Sequence, residues 1–186
     1  KSKLTTAAAA THAMKSLATA ERAASNAWFF KTGPGQYGEG DKFMGVSVPQ
    51  TRSVLRDCDL TITEQLKLLK SSWHELRLLS LLHLSRSFQK GSPAERKQIY
   101  DAYLAHTEYV NNWDLVDSSA AYLVGPYLFD RSRSPLMRLV KSKSLWERRI
   151  AVLATYHFIK QGETDDIVKL ATILLNDKED LMHKAV

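Results

Sequence analysis

The segment Tyr109–Ala120 carries the residues whose types and spacing are best suited to chemistry. Asn111 or Asn112 can cap a helix, and Trp113 and Asp117 follow at a separation of four residues. An indole ring and a carboxylate therefore project side by side from the first turns of that helix. We expect the positive end of the helix dipole to keep the carboxylate ionised. An aromatic face beside a held anion suits a substrate that carries or develops positive charge.

The same residues have a structural interpretation. A Trp at the start of a helix usually packs into the core, and an Asp in the first turns usually interacts with the helix dipole in solvent. Spacing alone leaves both interpretations open, so the segment has to be judged with the rest of the chain.

Length and composition describe an ordinary globular chain with a basic balance. The chain has 186 residues, enough for one large domain or a short array of repeats, and 44% of them are hydrophobic. A formal net charge of +6 favours an anionic partner, most commonly nucleic acid. The single Cys58 excludes a disulfide framework and is compatible with a reducing cytoplasm. We expect no signal peptide, because Lys1–Ala20 has an Ala-rich run but no cleavable hydrophobic region of convincing length. We expect no membrane partner, because no apolar run approaches the roughly 20 residues that span a bilayer.

The spacing of apolar residues predicts an all-α chain. The predicted helices cover about 4–31 (with a second segment capped at Thr19), a stretch beginning at Pro49, 63–70, 72–88, a stretch from the capping box at Ser92 to about His106, 112–130, 135–140, 145–160, 164–175, and 178 to the end. Four glycines and a proline between Gly33 and Asp41 exclude a helix there and predict a surface loop. This loop lacks the pattern of a phosphate-binding loop.

The predicted helices also repeat. Four segments align so that positions 77, 116, 149 and 184 lie 39, 33 and 35 residues apart. The segments are Trp73–Leu79, Asn112–Ser118, Leu145–Ala151 and Asp180–Val186. A period of this size with two helices per unit is typical of a HEAT- or armadillo-like helical-repeat solenoid. We therefore expect a single domain over residues 1–186 whose second helices line a concave basic groove. The groove residues would be Arg77, Trp113, Asp117, Arg149 and Lys184.

Two adjacent arginines occupy an unusual place in a predicted helix. Arg148 and Arg149 come early in a predicted helix, where the dipole disfavours cations, so they do not serve helix stability. A basic groove suits a phosphodiester backbone, which the planar fork of Arg binds well. The alternative is that Arg149 pairs with Glu147, Asp117 or another carboxylate, and the sequence does not separate the two.

Taken together, these motifs resemble the DNA alkylation repair family, the AlkD-like alkylpurine DNA glycosylases, from about Leu17 to Val186. The resemblance is most specific in Phe29–Lys31, Lys42–Pro49, Asn112–Asp117, Leu145–Ala151 and Asp177–Val186. It implies a HEAT-like solenoid that removes cationic N3- and N7-alkylated purines from duplex DNA. The family's functional Trp and Asp of W-D-x-V-D and its Arg of W-x-x-R fall on Trp113, Asp117 and Arg149. Asp114 also lies in the motif, as a first-turn helix residue.

Two features depart from the family pattern. A second functional Trp of the family would lie just beyond Val186, so we expect the chain to be truncated at its C-terminus. The loop Gly33–Gly40 is longer than in the best-known branch and indicates a distinct subgroup. Tyr37 in this loop is a candidate DNA contact, or alternatively an anchor of the loop itself.

The resemblance implies a chemistry that needs little acid catalysis, because the alkylated base is already cationic and departs neutral. Asp117 would stabilise the positive charge that develops on the deoxyribose and orient water, and Trp113 would pack against the lesion nucleotide. Arg149 would hold a nearby phosphate, with Arg148, Arg77 and Lys184 as further DNA-binding residues. We expect no metal and no cofactor, since the six His residues are scattered and no Cys pair is present. No Lys stands out as a Schiff-base nucleophile, so we expect a monofunctional enzyme. We also expect a monomer, as is common for a solenoid of this size, in the bacterial cytoplasm and associated with the nucleoid.

Two other functions remain open. One is a non-catalytic HEAT-like module that binds damaged or branched DNA. The other is a protein-binding adaptor, which the combination of Trp113, Asp117 and Arg149 makes the weakest of the three.

Overall fold

The computed structural model describes residues 3–186, and within this range the protein is all-α, as the sequence predicts. The described residues form twelve α-helices and a short 3-10 helix, Thr107–Tyr109, with no β-strand. The α-helices are α1 (Ala7–Lys15), α2 (Ala20–Phe29), α3 (Val48–Asp57), α4 (Ile62–Leu69), α5 (His74–Lys90), α6 (Pro93–Leu104), α7 (Trp113–Asp117), α8 (Ala120–Leu128), α9 (Ser134–Leu139), α10 (Leu145–Lys160), α11 (Asp165–Leu174) and α12 (Asp180–His183).

Several helix starts confirm the capping signals in the sequence. Ser92 and Glu95 form a capping box at the start of α6, with Pro93 in the first turn. Pro49 occupies the first turn of α3, whose cap residue is Ser47. The bounds of α10 are those that the apolar spacing predicts.

Three predicted helices are shorter or interrupted. The stretch 4–31 is two helices, α1 and α2, with the second beginning after Thr19 as expected. The stretch 112–130 is divided into α7 and α8, and α12 is only four residues long. Apolar periodicity continues across such breaks, because it reports the buried face and not the continuity of the backbone hydrogen bonds.

The glycine-rich segment after α2 is a loop of consecutive turns, as predicted. Side chains within the loop hold two of its backbone amides: Gly33 N–H donates to Gln36 Oε1 and Gly35 N–H to Glu39 Oε2. Gly38 lies so close to Phe30 O that a Cβ atom would be 2.2 Å from it. A glycine is therefore required at this position for the loop to close on the end of α2.

The chain divides into two compact units, Lys1–Arg86 and Ser87–Val186. In the first unit α1 packs on α3 and α4. Its core includes Met14, Met44, Val54 and Leu68, all nearly inaccessible to solvent.

The second unit is organised around α10. This helix packs most extensively on α8 and also contacts α7, α9, α11 and α12. Leu115, Leu123, Ile150 and Phe158 are fully buried in this unit. The position of α10 places residues at its N-terminal end beside α7 and α12, where the candidate site lies. Among residues 3–186, no helix is both long and apolar enough to cross a bilayer.

Candidate functional site

Helix α7 is a five-residue helix that presents one polar face. Asn112 caps it: its backbone is extended and its side-chain oxygen accepts the Trp113 N–H at 2.8 Å. Leu115 and Val116 are fully buried and fix the helix to the core. Trp113, Asp114 and Asp117 are partly exposed. The i and i+4 positions of Trp113 and Asp117 place the indole and the carboxylate on this open face.

Ser119 ends the helix directly after this face. Its hydroxyl donates to Leu115 O at 2.6 Å and lies 2.9 Å from the hydroxyl of Tyr103. A Ser side chain that bonds to the carbonyl four residues earlier slightly destabilises a helix and often bends it. Asp117 is the last residue of α7. The sequence instead predicts that it lies near the positive end of a longer helix. The positive charge beside the carboxylate therefore comes from a side chain of another helix and not from the dipole of α7.

That cation is the guanidinium of Arg149, in the first turns of α10. Its Nε donates to Asp117 Oδ1 and its Nη2 to Asp117 Oδ2, both at 2.9 Å. Its Nη1 donates to the carbonyl of Leu181 in α12 at 2.5 Å. Arg149 is 6% exposed, so its fork is committed to the carboxylate and the carbonyl. This geometry is the ion-pair alternative that the sequence leaves open.

The carboxylate in this pair remains accessible on its outer side. The side chain of Asp117 is 35% exposed, against 8% for that of Arg149. Each carboxylate oxygen has two lone pairs, and Arg149 occupies one on each oxygen. A carboxylate fixed in this way still has acceptor capacity towards a water molecule or a developing cation on the open face.

The preceding arginine makes a second bidentate pair. Arg148 Nε and Nη2 donate to the two carboxylate oxygens of Asp177 at 2.7 and 3.2 Å. Its Nη1 donates to Ser142 O and Lys143 O. Burial opposes ionisation of Asp177, but the backbone N–H of Glu179 and the Arg148 guanidinium outweigh it and lower the pKa of this carboxyl. The second pair fastens the segment before α12 to α10.

The other predicted DNA-binding residues lie in different surroundings. In the first unit, Arg77 is 4% exposed and pairs with Asp41 at 2.5 Å. Lys184 directly follows α12, is 64% exposed and pairs with Asp180. Tyr37 is half-buried in the glycine-rich loop. DNA binding by these residues, and by Arg148 and Arg149, stays a prediction, and by exposure the geometry favours Lys184.

Sequence reasoning named Asp117 as one possible partner of Arg149 but missed the other partners of these arginines. Asp177 and the carbonyl of Leu181 lie 29 and 32 residues from Arg148 and Arg149, and Asp41 lies 36 residues from Arg77. No local pattern connects residues at such separations. The excess of arginines in the first turns of α10 was the available signal, because cations there need a partner from another helix.

Comparison with known proteins agrees with the motifs at this site. No curated protein sequence matches the chain significantly. The sequence model of a family described as DNA alkylation repair enzyme matches residues 10–186, a range that includes α7, α10 and α12. Because this match covers nearly the whole chain, the protein belongs to the DNA alkylation repair enzyme family.

Proposed function

We propose that the protein is a monofunctional DNA glycosylase that excises cationic N3- and N7-alkylated purines from duplex DNA. One observation carries the proposal: the Asp117 carboxylate pairs with a buried guanidinium, and its side chain is still 35% exposed on the face it shares with Trp113. Family membership supports a role in DNA alkylation repair. Trp113, Asp117 and Arg149 occupy the motif positions that carry function in the AlkD-like members.

The reaction is hydrolysis of the N-glycosidic bond. As the bond breaks, its electron pair moves onto the cationic purine, which leaves as a neutral base, and positive charge develops on the deoxyribose. The Asp117 carboxylate stabilises this charge because it is fixed before the reaction and needs no reorganisation. Water then adds to C1′, oriented by a lone pair of Asp117 that Arg149 does not occupy, and it loses a proton to the surrounding water, so that the product is an abasic site with a C1′ hydroxyl.

Arg149 acts in this proposal as a positioning residue. A bidentate guanidinium fixes both oxygens of the carboxylate, whereas a lone Asp side chain would sample several rotamers. Trp113 packs against the lesion nucleotide and excludes bulk water. No Lys is assigned as a nucleophile, so no strand cleavage is expected.

DNA binding in this proposal uses a HEAT-like solenoid with a concave basic groove. The net charge of +6 and the exposed Lys184 support an anionic partner. The partner is double-stranded DNA with alkylated purines, bound by a monomer associated with the bacterial nucleoid in the cytoplasm. Neither a metal nor a cofactor takes part.

The test is incubation of the purified protein with methylated duplex DNA, followed by chromatography of released bases and electrophoresis of the strands. The proposal predicts free 3-methyladenine or 7-methylguanine and strands that break only after alkali. Unmethylated duplex of the same sequence is the control. If no base is released while methylated DNA is retained, the glycosylase proposal is refuted.

The alternative is a non-catalytic module that binds damaged or branched DNA. The neutralisation of Asp117 by Arg149 favours it, because a carboxylate with a guanidinium partner attracts a cation less than a lone one. Retention of branched or methylated DNA without base release is the outcome that this alternative predicts.

A further inference from the structure

A second concave feature lies in the unit Ser87–Val186, away from Asp117. It is a cleft of about 320 Å³, within the range of small-ligand sites. Phe88 at the end of α5 and Ala121 in α8 line it with nearly buried apolar surface. Tyr122 of α8 and Tyr156 of α10 line it as well, and these residues are 45% and 46% exposed.

The charged residues that line this cleft are cationic. Arg96 and Lys160 are both exposed, and no Asp or Glu is among the lining residues. Arg96 is fixed by bonds from its Nε to Phe88 O and from its Nη2 to Gln89 O. The ammonium of Lys160 lies 4.9 Å from the centroid of the Tyr156 ring, which holds it beside the cleft. The cleft therefore suits a ligand that is anionic at one end.

The two tyrosines have different roles in the cleft. Tyr156 contacts Lys160 through its ring, so it positions a cation. Tyr122 offers an exposed ring as a flat stacking surface. An aromatic platform next to fixed cations is the arrangement with which proteins bind an unstacked nucleotide, the base on the ring and the phosphate on the cation.

The position of the cleft along α10 relates it to the candidate site. Tyr156 and Lys160 come seven and eleven residues after Arg149, which are spacings that return to the same face of a helix. At 1.5 Å per residue, Tyr156 lies about 10 Å along the axis from Arg149. That is the span of about three nucleotides along one strand.

We propose that this cleft binds one unstacked nucleotide of a DNA strand, with its base on Tyr122 and its phosphate on Lys160 and Arg96. The inference rests on the proposed function only in naming DNA as the source of the nucleotide. It assigns the cleft a contact with a strand that leaves the duplex near the lesion, separate from the chemistry at Asp117.

The test uses an unmethylated single-stranded oligonucleotide of about eight nucleotides that contains 2-aminopurine, whose fluorescence falls when the base stacks. The wild-type protein is expected to quench it on binding. Tyr122→Ala is expected to weaken binding about tenfold, and Tyr122→Phe to retain it within about twofold, because the ring supplies the contact. Lys160→Ala is expected to reduce the magnitude of the negative slope of log K against log salt by about 0.7, the value for one single-strand phosphate contact.

Lys169→Ala removes another exposed Lys, from α11 in the same unit, and is expected to leave both quantities unchanged. Circular dichroism of each variant shows whether it is folded. Absence of quenching by the wild-type protein, equal binding by folded Tyr122→Ala, or an equal slope change in Lys169→Ala would overturn the inference. Base release from methylated duplex separates the two proposals. Release without quenching removes only the cleft assignment, and quenching without release removes only the glycosylase.

Discussion

Two neighbouring arginines of α10 make the same bidentate contact with an aspartate in different surroundings. The Arg148–Asp177 pair is enclosed: the two side chains are 14% and 8% exposed, and Asp177 also accepts the Glu179 N–H. In the Arg149–Asp117 pair the order is reversed. The arginine is the buried partner at 8%, and the aspartate is 35% exposed.

The difference lies in which side of each pair faces solvent. A pair whose carboxylate is enclosed by amides and a guanidinium has little acceptor capacity left and serves to join segments. A pair whose arginine is buried and whose carboxylate is open presents a fixed anion at the surface. We therefore expect the first pair to contribute mainly to stability and the second mainly to activity.

The largest expected effect is on base release by variants of the two arginines. Arg149→Gln leaves Asp117 without its bidentate partner, and the misplaced carboxylate should lower the single-turnover rate about 100-fold. Arg148→Gln should change the same rate by less than about threefold, because its partner Asp177 is only 8% exposed and presents little open carboxylate. Equal losses in the two variants, both folded, would remove the distinction between the pairs.

Stability should show the opposite order. Arg148→Gln leaves Asp177 enclosed without its partner and should lower the free energy of unfolding by about 3 kcal/mol. Arg149→Gln leaves a carboxylate that water can reach, and the loss should be about 1 to 2 kcal/mol. Urea denaturation followed by circular dichroism measures both. A larger loss in Arg149→Gln would mean that its pair is the main structural contact.

A smaller effect is expected in acid. Because the folded state lowers the pKa of Asp177, this carboxylate stabilises the protein above the pKa of the unfolded chain, and the contribution is lost as pH falls through the folded value. The urea midpoint of the wild-type protein should therefore fall below about pH 4. Asp177→Asn should start less stable and depend less on pH in this range. If the urea midpoint of Asp177→Asn fell as steeply below about pH 4 as that of the wild-type protein, the lowered pKa of Asp177 would be contradicted.

The smallest expected effect is on the salt dependence of DNA binding. The Lys184 side chain is exposed, so Lys184→Ala should reduce the magnitude of the negative slope of log K against log salt for duplex DNA by about 0.9, the value for one phosphate contact. Arg149 is already paired with a carboxylate, and Arg149→Gln should leave the slope unchanged. A smaller slope in Arg149→Gln would show that this arginine binds phosphate, the role that the family resemblance implies.

Much of the site could be predicted from local sequence. The cap at Asn112, the shared face of Trp113 and Asp117, and the bounds of α10 all follow from residue type and helical spacing. These features depend on contacts within one or two turns of chain, which a periodic pattern records directly.

The features that were not predicted depend on packing between helices. Helix α7 ends at Asp117, and directly after it the Ser119 hydroxyl donates to Leu115 O and meets the Tyr103 hydroxyl from α6. The sequence allowed several carboxylates as the partner of Arg149. The packing of α7 against α10 selects Asp117 among them. The repeated solenoid and its groove stay predictions.

The most direct test of the central claim compares Asp117→Asn with Asp177→Asn in base release from a duplex that contains one 7-methylguanine. Each substitution removes one negative charge from a bidentate pair with adjacent residues of α10, so loss of an ion pair is matched between them. The account predicts a loss of at least about 100-fold in Asp117→Asn and less than about threefold in Asp177→Asn, with both variants folded. Activity in Asp117→Asn equal to that of Asp177→Asn would contradict it.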